Sequence, residues 1–204
     1  MSSVDLASVH NGMLQRFSPN NPLSLPYGLV FNAIPYTRAY LLAFFAMFPG
    51  FVYNPTQPAL SELMRMKAQF GWETQVFRAG TLKLFRRALV LQFNLTYGTD
   101  QNDLASWQNL CRAMRVINIP DNLAACKKLV ESIYVNLIDL VDMPNTGVPV
   151  KLFKRERDLS KYTLETEKIF PKEDAYAGGL LRHLLRNIIA PRHGGKTKAK
   201  TVQH

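Results

Sequence analysis

Basic residues collect toward the carboxyl end of this 204-residue chain at spacings suited to neutralising phosphates. Arg182 and Arg186 stand one helical turn apart with His183 beside them. Arg192, Lys196, Lys198 and Lys200 follow, with no acidic residue from 191 to 204. From Val150 to His204 there are thirteen Lys/Arg against six Asp/Glu, compared with twelve against nine over the first 149 residues. Cations in such a row displace condensed counterions from a nucleic-acid backbone and need no base contact to bind. A second group, Arg78, Lys83, Arg86 and Arg87, falls on one predicted helix. A third, Lys151, Lys154, Arg155 and Arg157, is partly neutralised by Glu156, Asp158, Glu165 and Glu167. Solvated positive faces are common, and a basic tail also serves solubility or nuclear import. No aromatic RNP-type word, zinc finger or clear helix-turn-helix turn accompanies the charge.

Other chemistries are thinly represented. Asn136, Asp139 and Asp142 share a helical edge, and two carboxylates with an amide are oxygen ligands that a hard cation accepts. Equally, such a trio forms a solvated rim or structural hydrogen bonds, and Asn136 is suited to fastening a neighbouring backbone turn. The four histidines are scattered and Cys111 and Cys126 lie fifteen apart, unlike the close pairs of zinc sites. Both cysteines fall on apolar helical faces, where a thiol behaves as a small hydrophobe. No Gly-x-Ser-x-Gly elbow is present. Gly178-Gly179, before the last predicted helix, suits a phosphate cradle by position, but it has no Gly-Lys partner word and fits close loop packing better. No catalytic residue, metal ligand or cofactor is assigned.

The elements that must position these residues are mostly helical. Residues 1–36 carry Pro19, Pro22, Pro26 and Pro35 and no charge between Arg16 and Arg38, which reads as an irregular or disordered arm. A helical domain over 37–190 is expected next, and 191–204 is too polar to bury an apolar face and reads as a basic, flexible tail. Within the domain, 38–48 is a first helix. Ala59, Leu63, Met66 and Phe70 mark a second, stopped by Gly71. Leu82, Phe85, Leu89 and Phe93 stripe a longer one over about 75–97. Gly80 weakens its beginning, and Gly98 is suited to a left-handed position after its end. Asp103 reads as an N-cap for a helix carrying Trp107, and Asp121 as the next. Cys126, Val130, Ile133, Leu137 and Val141 keep helical spacing up to Pro144, with room for a strand at 133–135. Residues 147–153 are an extended connector or strand. Asp158 starts a short helix, and Leu180, Leu181, Leu184, Leu185, Ile188 and Ile189 stripe the last. The sum is an all-α chain, a single irregular bundle of six or seven helices.

Composition agrees with a folded core: 47% of residues are apolar, including twelve Phe, eight Tyr and two Trp. The run Tyr40–Phe48 is half the length a membrane span requires, and residues 1–7 lack a basic region ahead of an apolar stretch. A soluble protein of the cytoplasm or nucleus, without membrane association, is therefore expected.

Several words resemble an uncharacterised family of fungal proteins: Phe51-Val-Tyr-Asn54, Phe70-Gly-Trp72, Trp107-Gln-Asn-Leu-Cys111, Val135 to Asp142, and Tyr162-Thr163 with Lys168-Ile-Phe-Pro171. The resemblance spans about residues 45–190. It implies a fungal source and a helical domain, and it carries no activity, cofactor or catalytic residue.

The functional expectation is a non-enzymatic module that engages DNA or RNA through phosphate contacts from Arg182, Arg186, Arg192, Lys196, Lys198 and Lys200. The alternative is a protein-interaction or self-assembly domain, a homo-oligomer among the options, built on the aromatic run 40–53 and the leucine stripe of the last helix.

Overall fold

A computed structural model describes residues 38–74, 77–171, 179–186 and 188–189. The expected arm, the expected tail with Arg192, Lys196, Lys198 and Lys200, and Gly178 lie outside the described residues. The described chain is rich in helix and contains little strand. Its elements are α1 (Ala39–Phe45), α2 (Ala59–Gln69), a π-helical turn (Phe77–Thr81), α3 (Leu82–Tyr97), α4 (Leu104–Ala113), α5 (Leu123–Ser132), β1 (Tyr134–Val135), α6 (Leu137–Thr146), β2 (Leu152–Phe153), α7 (Glu156–Glu165) and α8 (Gly179–Leu184).

The core forms around α3, which packs against α1, α4, α6 and α8. Its stripe Phe85, Leu89 and Phe93 is buried, as the spacing predicts. From α1 and the turn after it, Phe44, Phe45, Phe48 and Phe51 enter the same core, so the aromatic run is spent inside the chain. Phe45 stacks on Tyr53 at 4.2 Å, and Phe44 meets Phe85 at 5.4 Å. Leu180, Leu181 and Leu184 of α8 are buried as well. Trp107 is fully buried; Phe70 and Trp72 stack on each other at the margin of the core, half-buried. No helix among the described residues is long and apolar enough to cross a membrane.

Local signals explain most boundaries. Asp103 accepts hydrogen bonds from the N–H groups of Ala105 and Ser106 and caps α4. Gly71 stops α2 with φ +60°, and Gly80 lies in the π-helical turn, so regular helix begins only at Leu82. Gly98 has positive φ, but its ψ of 168° lies outside the left-handed helical region. A Cβ there would meet Ser106 Oγ at 2.5 Å, so glycine is required twice over.

Five expectations are corrected. The cap of α5 is Asn122, whose side chain accepts from Ala125 N–H, and not Asp121. The spacing from Cys126 to Val141 is not one helix. Ile133 turns extended, Tyr134 and Val135 pair antiparallel with Phe153 and Leu152, and Asn136 caps a fresh helix. β-branched residues flanking a tyrosine favour that extended stretch. Pro144 does not end α6, which runs on to Thr146. The carbonyl that its missing N–H would have served, Leu140 O, accepts the Tyr97 hydroxyl at 2.8 Å instead. Asp158 does not start α7, which opens at Glu156; its carboxylate accepts from Arg155 Nε at 2.9 Å and from the second guanidinium nitrogen at 3.1 Å. The last helix is also shorter than its stripe, ending at Leu184.

One ion pair at the edge of the core, between buried Glu62 and exposed Arg65, sets a pH limit. Burial pushes the Glu62 carboxyl up, but hydrogen bonds from Arg65 and from the Asn54 N–H, with the charges of Arg65 and Arg38, outweigh it and hold it below the ordinary carboxylate range. A depressed carboxylate contributes stability that is complete above its unfolded value and is lost as pH falls through the folded one. The melting temperature should therefore drop below about pH 5, and Glu62→Gln should lose about 1 kcal/mol at neutral pH while flattening that acid limb. Thermal melts of both proteins from pH 3 to 7 check this; parallel acid limbs would refute it.

Candidate functional site

Four basic or protonatable side chains come together where α8 lies along α5. Lys127 and Glu131 are one turn apart on α5, and His183 Nδ1 lies 2.7 Å from Glu131 Oε1. His183 sets its ring edge-on to Trp107 at 5.1 Å, while Lys127 Nζ stands 5.8 Å from the same indole. Trp107 thus supports both from beneath, its own Nε1 donating to Gln101 O at 2.9 Å. Arg182 donates to the side-chain oxygen of Gln101, so it too is anchored beside the indole.

Arg186 completes the group and performs a second task. One guanidinium nitrogen donates to His183 O at 2.7 Å, and the other donates to Glu131 O at 2.8 Å and Ile133 O at 3.3 Å. It therefore closes the carboxyl ends of α8 and α5 together, satisfying carbonyls that a helix leaves without partners. Its ring neighbour is Tyr134, 5.5 Å away. Carbonyl and amide acceptors hold the two guanidinium groups in place. Of the six expected contact residues, Arg182 and Arg186 are among the described ones, the first anchored on Gln101 and the second at the end of α5, the helix that carries Lys127. The signal for Lys127 was its i, i+4 relation to Glu131, which has no meaning until α8 is laid against that face.

Gly179 opens α8 by close approach. Its N–H donates to Thr99 O at 3.0 Å, and a Cβ would stand 2.8 Å from that oxygen. Position alone therefore explains glycine there.

The carboxylates of α6 serve structure. Asp142 is buried and pairs with Arg38 at 2.7 Å, while the same oxygen accepts the Ala59 N–H at 2.9 Å at the start of α2. Burial pushes the Asp142 carboxyl up, and the charge of Arg38 pulls it back. Asp139 accepts Lys168 Nζ at 2.6 Å and the Tyr162 hydroxyl at 2.9 Å. Burial pushes the Tyr162 phenol above its ordinary value, so it stays protonated at neutral pH. Asp139, Asp142, Tyr162, Lys151 and Lys168 line a cleft of about 120 Å³, in which each acid already holds a cation. Asn136 faces elsewhere. Its Oδ1 caps α6 through Ile138 and Asp139, and its Nδ2 donates at 3.0 Å to both Thr163 Oγ1 and Lys168 O. It fastens three segments to one another.

The cysteines are buried and free. Burial pushes the Cys111 thiol up to about 11, so it is protonated at neutral pH and a poor nucleophile. Cys126 Sγ lies 3.2 Å from Pro120 O.

No protein-family model, curated protein or solved structure matches this chain.

Proposed function

We propose that the chain binds polyanions, nucleic acid first among them, through the cationic surface of α5 and α8 and the basic segment that follows. The observation that carries this reading is that Lys127 stands over Trp107 on α5 while, on and just after the helix packed against it, Arg182 is anchored on Gln101 and Arg186 on the carbonyls at the end of α5. The chain then runs on through Arg192, Lys196, Lys198 and Lys200 without an acid. Anchored guanidinium groups lose little side-chain freedom when they meet a phosphate, which favours them over loose lysines. Contacts to phosphate fix position and carry no sequence information, so duplexes of different sequence should bind alike. A nuclear or cytoplasmic site of action suits such a ligand.

Fluorescence anisotropy of a labelled 20-base-pair duplex tests the proposal. The full chain should bind at low salt. Lys127→Glu with Arg182→Glu, neither of which is in the core, should weaken binding by about tenfold or more, and deletion of 192–204 should do the same. Both variants should melt with the parent. Binding that survives both changes undiminished would remove the proposed surface from consideration.

A further inference from the structure

We infer that the cavity between α3, β1, α6, α7 and α8 is a binding site for a linear aliphatic monocarboxylate of medium chain length. Its volume is about 180 Å³, and much of its wall is Leu137, Leu159, Phe170 and Leu184. Space of that size holds roughly six water- or methylene-sized groups at about 30 Å³ each.

The cations at this cavity select the head group. Arg86, Lys168 and Arg186 all line it, and no Asp or Glu does so among the described residues. Lys168 is balanced by its ion pair with Asp139 and held by Tyr162, and Arg186 is held by backbone carbonyls, so both stand in fixed positions. Arg86 differs. It is half-buried and makes no hydrogen bond or ion pair among the described residues. A guanidinium beside an apolar wall, partly withdrawn from water, attracts an anion more strongly than it would in solvent. Its planar fork matches the two oxygens of a carboxylate. Asn136 and Thr163, also in the lining, hydrogen-bond to each other, so the remaining surface offers a tail mainly hydrocarbon. Concave, mainly apolar space with one directed charge is the usual form of a small-molecule site.

The inference does not rest on the polyanion reading, because Arg86 lies outside the contact residues proposed there. Titration calorimetry of the full chain with butanoate, hexanoate, octanoate and octanol tests it. Affinity should rise about fourfold per methylene from butanoate to octanoate, and octanol should bind at least about tenfold more weakly than octanoate. Arg86→Met should cost octanoate about tenfold while leaving the melting temperature and duplex binding unchanged. Equal affinity for octanoate and octanol, no dependence on chain length, an Arg86→Met variant that binds like the parent, or no heat at millimolar octanoate would each overturn the assignment.

Discussion

Asp142→Ala should cost about 3–5 kcal/mol and lower the melting temperature by roughly 10 °C. Taking two charges out of water is unfavourable, and here the loss is offset by the hydrogen bonds to both terminal nitrogens of Arg38 and to Asp142 Oδ1, although the buried Arg38 Nε has no partner among the described residues. The Arg38 side chain is 1% exposed and that of Asp142 7%. Arg38 also donates to Tyr53 Oη at 3.0 Å and Gln57 O at 2.8 Å, so the pair joins α1, the turn before α2, and α6. Alanine at 142 strands a buried guanidinium and leaves the Ala59 N–H without its acceptor. Arg38→Met combined with Asp142→Ala should cost less than the sum of the two single changes by about 2 kcal/mol or more, since the second removal no longer isolates a charge. Urea unfolding of all four proteins measures the coupling. Additivity to within about 0.5 kcal/mol would mean that the two side chains stand independently in solution.

The second large effect is expected at Asn136. Asn136→Ala removes the cap of α6 and both Nδ2 hydrogen bonds, for a loss of about 3 kcal/mol from roughly 1 kcal/mol per interaction. Asn136→Asp keeps an oxygen for the N–H groups of Ile138 and Asp139 but sets a carboxylate against Lys168 O, so it should recover only part of the loss. The denaturant midpoint should fall with little change in slope, because the same surface is exposed on unfolding. Equal stability of the alanine and aspartate variants would show that the cap contributes nothing.

How far the sequence disclosed this structure follows from the range of the forces involved. α2 and the stripe of α3 were readable because burial repeats every turn, and the α4 cap because Asp103 bonds to N–H groups two and three residues away. The interruption at Ile133–Asn136 was only half visible. Helical spacing carries straight across it, and only the pairing with Leu152 and Phe153 stabilises the extended form. Pro144 deceived for a related reason: the hydroxyl that serves Leu140 O comes from Tyr97, 43 residues earlier. The partner of Asp142 is 104 residues distant, so an acid that looked like solvated edge or metal ligand proved to be half of a buried ion pair. At the basic surface, Arg182 and Arg186 were legible from their own spacing, while Lys127 and the indole beneath it needed the packing of α8 on α5. Arg86 was noted only as one of four charges on a helix, and nothing local pointed to the apolar space beside it.

The salt dependence of duplex binding tests the central claim most directly. If Lys127, Arg182, Arg186, Arg192, Lys196, Lys198 and Lys200 each displace a counterion, the logarithm of the association constant should fall against the logarithm of salt concentration with a slope of about −6. Removing 192–204 should bring that slope to about −3, and the value should not depend on duplex sequence. A slope near zero, or one that the truncation leaves unaltered, would contradict polyanion binding by these residues.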